Sequence, residues 1–175
     1  MKADATTILL PAEEVARRVE DAAVRLAPLI DDETVAVCLL TGGLWFAADL
    51  TRALARLGRR PLFDALWLAS YGDARESGGR VEVRAGLQRP VAGRRVLLID
   101  EVTDSGLSLK AAEAVVREGG ATVVMACVFA RKPWPTPRDF EPEVVAWEAP
   151  ARFLAGYGMD LAGRLRGLPD VVALD

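Results

Sequence analysis

The chain has 175 residues, of which 51% are hydrophobic and 27% are charged, and its formal net charge is −3. This length predicts one domain, residues 1–175, with room for a substantial core. The sequence contains no histidine, which excludes Ser-His-Asp and Cys-His hydrolases and enzymes with histidine-ligated zinc. The slightly acidic balance predicts no nucleic-acid partner. The sequence shows neither a secretory signal nor a run of transmembrane length, which predicts no membrane partner and a cytoplasmic location.

The hydrophobic patterns predict helices alternating with strands. In chain order these are a helix over 11–30 with Pro11 in its first turn, a strand over 34–40, a helix over 44–57, strands over 62–70, 81–85 and 96–99, a helix over 107–118, and strands over 121–130, 144–147 and 171–174. We predict a mobile loop over 72–80, irregular structure over the proline-rich residues 131–142, and a turn with a short helix within 153–165. This order predicts an α/β fold, a mostly parallel sheet flanked by helices.

Cys38 and Cys127 lie inside apolar runs, so we predict two free, buried thiols. Polar or small residues follow four of the predicted strands: Thr41-Gly42-Gly43, Ser70-Tyr71, Asp100-Glu101 and Arg131-Lys132. Ligands of open α/β sheets bind at the carboxyl ends of the strands, so we expect these residues to line one rim.

Residues 96–109 carry the strongest functional signal. Four apolar residues are followed at once by Asp100 and Glu101, and Asp104 then opens the turn Asp-Ser-Gly-Leu-Ser before a helix. Free N–H groups at a helix start can hold a phosphate, and neighbouring acids can hold ribose hydroxyls or hydrated Mg²⁺. The residues alone therefore predict a nucleotide- or phosphosugar-binding domain.

This stretch resembles the phosphoribosyl-pyrophosphate (PRPP) motif of type I phosphoribosyltransferases. Other segments, covering residues 8–174 in all, are similar to the hypoxanthine-guanine phosphoribosyltransferase family: Leu40-Thr41-Gly42-Gly43 with Phe46-Ala47-Ala48-Asp49-Leu50 to its pyrophosphate loop and helix, Ser70-Tyr71-Gly72 to the start of its flexible loop, and residues 153–160 and 166–169 to its purine-site segment. The resemblance implies a type I phosphoribosyltransferase fold with a small hood formed by the N- and C-terminal segments.

The resemblance also implies an activity and a role for each site residue. The enzyme would displace pyrophosphate from PRPP with N9 of a 6-oxopurine, hypoxanthine or guanine, giving IMP or GMP, with Asp104 as the catalytic acid/base near purine N7. The implied binding residues are Asp100, Glu101, Ser105, Gly106, Leu107 and Ser108 for ribose and 5′-phosphate, Thr41, Gly42 and Arg166 for pyrophosphate, Lys132, Phe153 and Leu154 for the purine, Ser70 and Tyr71 on the closing loop, and Asp160, Asp100 and Glu101 for a Mg²⁺ cofactor. A homodimer or homotetramer is implied as well, with apolar contact from Leu44, Trp45 and Phe46 beside the pyrophosphate loop.

The chain departs from the family pattern at three places. Thr41 stands where the pyrophosphate loop usually carries Lys, and the acidic pair reads Asp100-Glu101 where the family usually has Glu-Asp. Leu107 replaces a frequent Lys or Thr. These differences bear on PRPP binding and on the preferred base.

Each site residue also has a purely structural interpretation. Asp104 could cap the following helix, Lys132 and Arg166 could be surface charges, and Phe153 could belong to the core. Two functional alternatives also stay open. One is a phosphoribosyltransferase that prefers xanthine or another purine, and the other is a non-catalytic, nucleotide-sensing regulator on the same fold.

Overall fold

A computed structural model describes residues 6–71 and 80–174, and within these residues the strands form two sheets. The larger sheet has the order β4-β3-β2-β5-β6-β7, and the smaller has the order β1-β9-β8. The elements, in chain order, are β1 (Thr6–Leu10), α1 (Ala12–Leu26), β2 (Val35–Leu40), α2 (Leu44–Arg56), β3 (Leu62–Tyr71), β4 (Arg80–Ala85), β5 (Arg95–Thr103), α3 (Leu107–Glu118), β6 (Val123–Arg131), β7 (Val144–Glu148), β8 (Phe153–Ala155) and β9 (Val171–Leu174), with a 3-10 turn at Ala27–Leu29.

The larger sheet is parallel except at one edge. β2 pairs in parallel with β3 and with β5, β5 pairs with β6, and β6 pairs with β7, whereas β4 is antiparallel to β3. The central strands are apolar on both faces, because helices cover both sides of a parallel sheet. Residues 35–39 of β2 and 96–99 of β5 are all buried. The predicted α/β class with a mostly parallel sheet is confirmed.

The helices divide between the two faces of the sheet. Residues of α1 and α2 pack into one buried cluster, in which Phe46 meets Phe129 edge-on with ring centroids 5.6 Å apart. Residues of α3 pack into a second cluster with Leu66 and Leu98. The predicted helix over 107–118 has the observed bounds of α3, and α1 begins one residue later than predicted, with Pro11 at its N-cap.

The smaller sheet is the hood that the family resemblance implies, because its strands come from both ends of the chain. β1 and β8 each pair antiparallel with β9. The sequence analysis missed β1, and it was wrong about the short helix within 153–165. That segment forms β8 and then tight turns, with isolated bridges and positive φ angles at Tyr157, Ala162 and Leu165 that no helix allows.

The order of the strands creates a crevice between β2 and β5. These two strands are neighbours, but α2 leads from β2 to β3 on one side and α3 leads from β5 to β6 on the other. The segments that follow β2 and β5 therefore diverge, which opens a cleft at their carboxyl ends, the usual ligand position in such sheets.

Both cysteines are buried and free, as predicted. Burial raises the pKa of the Cys38 thiol to about 12. Among the described residues, no helix is both long enough and apolar enough to cross a membrane.

Candidate functional site

The crevice between β2 and β5 brings together the loop after β2 and the acids of β5. Thr41 is exposed, whereas Gly42 and Gly43 are buried, and the Leu40–Thr41 peptide bond is cis. A Cβ atom on Gly42 would overlap the Glu101 carboxylate in its observed position, so the loop lies directly against this acid. The structure thus places Glu101 beside the Thr41-Gly42 loop at the rim of the sheet, although Thr41 and Glu101 are 60 residues apart in the sequence.

The acidic pair lies inside a strand, not after it. β5 continues to Thr103 and pairs with β6 as far as Arg131, so the predicted strand end at residue 99 was wrong. The same correction applies to Arg131, which ends β6, and to Ser70 and Tyr71, which end β3. The apolar run ends before the backbone pairing does, which is why hydrophobicity alone ended the strand too early.

Asp100 is an ionisable group in an almost closed environment. Its residue is 8% exposed, and its Oδ1 accepts a hydrogen bond of 3.0 Å from the Glu101 N–H. Burial, and then the neighbouring Glu101 charge, hold the pKa of the Asp100 carboxyl well above its usual range. A buried acid that is costly to ionise is common where a ligand later supplies hydroxyls or a cation.

Asp104 does not cap α3, so the capping interpretation was wrong. The N-cap residue is Gly106, no side chain bonds to the cap, and the first turn holds no acid. The Ser105 Oγ accepts a hydrogen bond from Leu107 N–H at 3.3 Å. The start of this twelve-residue helix, from Ser105 to Ser108, therefore offers N–H groups beside a carboxylate that does not bond to the helix end.

Gly106 makes the turn before α3 possible. Its φ is +84°, and a Cβ there would lie 2.6 Å from the Phe140 carbonyl oxygen. The proline-rich segment 131–142 is irregular beyond Arg131, as predicted, and it packs against this turn. The Asp139 N–H donates to the Ser105 carbonyl at 2.8 Å, and the Lys132 N–H donates to the Thr103 carbonyl at 3.0 Å.

Lys132 and Asp104 form an ion pair across this contact. The Lys132 Nζ lies 3.5 Å from Asp104 Oδ1, and the two side chains are 21% and 48% exposed. Lys132 is therefore not a free surface charge. The structure brings together two residues that the sequence placed in different loops, one after β5 and one after β6.

A second ionic group lies at the hood side of the crevice. The Arg166 guanidinium is 2.6 Å from Asp160 Oδ1 and 4.0 Å from Glu101 Oε1, and it donates to the Gly158 carbonyl. The Asp160 Oδ2 accepts from the Gly163 N–H at 2.6 Å. Arg166 thus stands between Asp160 and Glu101, two of the three acids that were predicted to hold Mg²⁺. No set of three or more acidic, cysteine or histidine side chains suited to a metal occurs in the described part of the chain.

The remaining predicted residues lie on the hood and on β3. Phe153 is 53% exposed at the start of β8, so it is not part of the core, and Leu154 is buried beside it. The backbones of Ser70 and Tyr71 belong to β3, but their side chains and the residues 72–79 of the predicted loop lie outside what the structure describes. Arg80, predicted as loop, belongs to β4.

The contacts of two residues near the site, Arg138 and Tyr157, were missed by the sequence analysis. Arg138 donates to the carbonyls of Asp104, at 2.8 Å, and Lys132, at 2.6 Å. The Tyr157 hydroxyl donates to Asp49 Oδ2 at 3.0 Å. An arginine in a proline-rich loop gives no recognisable signal, because the carbonyls that it binds belong to the backbone; Tyr157 and Asp49 lie inside quoted motifs, but nothing in the sequence pairs them.

Comparisons with known proteins identify the family to which the chain belongs. The model of the family described as "Phosphoribosyl transferase domain" matches residues 6–160. A hypoxanthine-guanine phosphoribosyltransferase of Aquifex aeolicus is 32% identical over 96% of this chain and 94% of its own length, and one of Bacillus subtilis is 31% identical over 99% and 96%. A solved hypoxanthine-guanine phosphoribosyltransferase from Bacillus anthracis superposes with a TM-score of 0.87 at 26% identity, over 97% of this chain and 98% of the other.

Proposed function

This chain belongs to the phosphoribosyl transferase domain family, and on that premise we propose that it transfers the 5-phosphoribosyl group of PRPP to N9 of a 6-oxopurine. The predicted enzyme class, a phosphoribosyltransferase and hence a pentosyltransferase, is confirmed by this membership. The base that we propose is hypoxanthine or guanine, the two bases in the names of the relatives, and the products are IMP or GMP and pyrophosphate.

The observation that carries the choice of base is the Asp104–Lys132 pair. A 6-oxopurine presents N7 and O6 side by side on one edge. An acidic group and an ammonium group 3.5 Å apart match that edge, with Asp104 at N7 and Lys132 donating to O6. Adenine has an amino donor in place of O6, so Lys132, which only donates, would disfavour it. Phe153, exposed on β8, supplies a face on which the base can stack.

The reaction forms the N9–C1′ bond as the bond between C1′ and the pyrophosphate oxygen breaks. Pyrophosphate leaves with the electron pair of that bond, and the purine loses one proton, for which Asp104 is the acceptor near N7. Positive charge develops on the ribose in the transition state. Asp100 and Glu101, in the second half of β5, are the carboxylates that would hold the ribose hydroxyls and stabilise this charge.

The start of α3 is the proposed 5′-phosphate site. Its N–H groups and the positive end of the helix dipole favour an anion, and the side-chain bond there, from Leu107 N–H to Ser105 Oγ, is long at 3.3 Å. The hydroxyls of Ser105 and Ser108 add donors. Leu107, where the family often has Lys or Thr, contributes its backbone, which explains why this departure is compatible with phosphate binding.

The pyrophosphate site is proposed at Thr41, Gly42 and Arg166. Thr41 brings no positive charge, so Arg166 is the cation that remains on this side of the crevice among the predicted residues. The Arg166 guanidinium pairs with Asp160 and Glu101 in this structure. When pyrophosphate binds, its oxygens would replace one of these carboxylates as a partner of the guanidinium. Guanidinium groups suit such bidentate anion contacts.

The donor chemistry fits Mg²⁺ that arrives with the substrate better than a resident ion. Mg²⁺ is usually held by one or two carboxylates together with substrate phosphates and water. Asp160 on the hood, and Asp100 with Glu101 on β5, are the carboxylates that would hold it. When bound, the ion would neutralise charge on the departing pyrophosphate.

A homodimer or homotetramer stays part of the proposal. Leu44 at the start of α2 is 44% exposed, and Phe63 and Trp67 on β3 are each 41% exposed, which is apolar surface of the kind found at subunit contacts. Phe46 was also expected in the interface, but it is fully buried in the core and cannot reach another subunit. Sedimentation of a monomer at micromolar concentration would contradict the oligomer.

The test of the proposed function is a product assay with four bases. Purified protein is mixed with PRPP and Mg²⁺ and, separately, with hypoxanthine, guanine, xanthine or adenine, and nucleoside monophosphate is measured by chromatography. We expect product from hypoxanthine or guanine and little from adenine. Product from xanthine alone would change the base and keep the reaction. No product from any base would overturn the proposal and favour the non-catalytic regulator.

A further inference from the structure

Arg138 bonds to the backbone of both members of the Asp104–Lys132 pair. Its Nε donates to the carbonyl of Asp104 at 2.8 Å, and its Nη2 donates to the carbonyl of Lys132 at 2.6 Å. The third nitrogen, Nη1, pairs with Glu141 Oε1 at 3.1 Å. Each of the three guanidinium nitrogens therefore has a partner, and the side chain is only 13% exposed.

The need for this residue follows from the end of the sheet. β5 and β6 pair as far as Thr103 and Arg131, and one more backbone bond joins Lys132 N–H to the Thr103 carbonyl. Beyond that point the carbonyls of Asp104 and Lys132 converge on one place, and two acceptors cannot bond to each other. The planar guanidinium has donors at a fixed spacing and satisfies both.

We propose that Arg138 is a positioning residue that sets the distance between the Asp104 and Lys132 side chains, and with it the recognition of the N7 and O6 edge of the purine. The inference rests on the proposed function. It deepens it, because the two residues that would read the base lie on separate loops, and Arg138 joins their backbones directly. Glu141 pairs with the Arg138 guanidinium at 3.1 Å and also with Arg131 at 3.2 Å. Because Arg131 is the last residue of β6, Glu141 connects Arg138 to the end of that strand.

The inference predicts that Arg138 affects purine recognition more than PRPP binding. The start of α3 is held independently of Arg138, since Asp139 N–H donates to the Ser105 carbonyl and the helix itself fixes residues 107 and 108. Loss of Arg138 therefore loosens the base-reading pair more than the phosphate site. A shift of about 1 Å in a reacting pair can cost on the order of 100-fold in rate.

The experiment compares Arg138→Met, Arg138→Lys and a matched control, Arg25→Met. Arg25 also donates to a backbone carbonyl, that of Val145 at 2.6 Å. Val145 lies near the start of β7, whereas Arg138 bonds to residues that follow the ends of β5 and β6. For Arg138→Met we expect kcat/KM for the preferred purine to fall about 100-fold, with the Kd for PRPP changed less than about threefold. Arg138→Lys retains one donor group, so its kcat/KM should lie between those of Arg138→Met and the wild type. Arg25→Met should keep the wild-type kcat/KM.

Hydrogen exchange of the free protein gives a second measurement that does not depend on turnover. In Arg138→Met the amide of Lys132 should exchange faster than in wild type and in Arg25→Met, while the amides of Asp139 and of the middle of β5 keep their protection. The inference is overturned if Arg138→Met folds and keeps the wild-type purine kcat/KM, or if purine and PRPP binding weaken equally. An inactive wild-type protein would instead contradict the proposed function itself, so the two failures are distinguishable.

Discussion

The Tyr157 hydroxyl donates to Asp49 Oδ2 at 3.0 Å and so joins the hood to the helix that follows the Thr41-Gly42-Gly43 loop. The Tyr157 ring also packs on Phe129, with centroids 4.7 Å apart. Burial, and then the Asp49 charge, raise the pKa of the Tyr157 hydroxyl, so it stays a donor at all ordinary pH values.

We expect Tyr157→Phe to lower the free energy of unfolding by about 0.5–1.5 kcal/mol, because the ring packing is kept and one hydrogen bond is lost. Asp49 retains Arg52 at 3.0 Å and is partly exposed, so the carboxylate is not stranded. Urea unfolding at neutral pH measures the change. Arg52→Met, which removes an exposed ion pair from the same carboxylate, is the control and should cost less. Equal effects of the two variants would show that the hood contact adds nothing.

Asp104→Asn should lower kcat by about 10²- to 10⁴-fold, the usual contribution of a general acid or base. The amide is similar in size and cannot accept the proton, so PRPP binding should be retained. Single-turnover assays with PRPP in excess, together with PRPP binding by calorimetry, separate the two effects. Glu118→Gln, at the far end of α3 and exposed, is the matched control. Retention of the wild-type kcat by Asp104→Asn would remove Asp104 from the catalytic role.

Thr41→Lys should lower the KM for PRPP. It restores the cation that the family usually carries at this exposed position, and an exposed ion pair contributes up to about 1 kcal/mol, or up to about fivefold in KM. Thr41→Met, of comparable length and without charge, should not lower it. The difference between the two variants should shrink as salt is added, because salt screens exposed charges. A KM for PRPP that is the same in both variants would contradict the placement of pyrophosphate at this loop.

Asp100→Asn should make the protein more stable and less active. The pKa of Asp100 is higher in the folded chain than in the unfolded one, so its contribution to stability is fully present below its ordinary pKa of about 4 and is lost as the pH rises through the raised value. The variant does not titrate, and its Oδ1 can still accept from Glu101 N–H. Thermal unfolding should therefore show a Tm difference that grows in favour of Asp100→Asn from pH 4 upward.

The same variant should lower kcat/KM for PRPP by roughly 10- to 100-fold, since a hydrogen bond to a charged group contributes about 1.5–3 kcal/mol. Initial rates at varied PRPP and saturating purine provide the measurement. A variant that is both fully active and no more stable than wild type at neutral pH would show that Asp100 neither binds ribose nor carries a burial cost.

What the sequence alone determined is the local part of the fold and the kinds of residue at the site. The apolar runs predicted β2, β5 and β6 because a strand buried on both faces has to be apolar throughout. The Asp-Ser-Gly turn predicted the start of α3 to the residue. The absence of histidine excluded several classes of enzyme, and the acids after residue 99 indicated a nucleotide- or phosphosugar-binding site. The proposed base and the proposed substrate came from the family resemblance.

What only the tertiary structure decided is which of those residues meet. The sequence analysis missed β1 and predicted a short helix in the region that contains β8. Both strands are short and pair with β9, so pairing rather than a local sequence pattern stabilises them. The pairing of Lys132 with Asp104, the position of Arg166 between two acids, and the contacts of Arg138 with two carbonyls all join residues from separate elements. Backbone carbonyls are the same in every residue, so a side chain that binds them leaves no mark in the sequence.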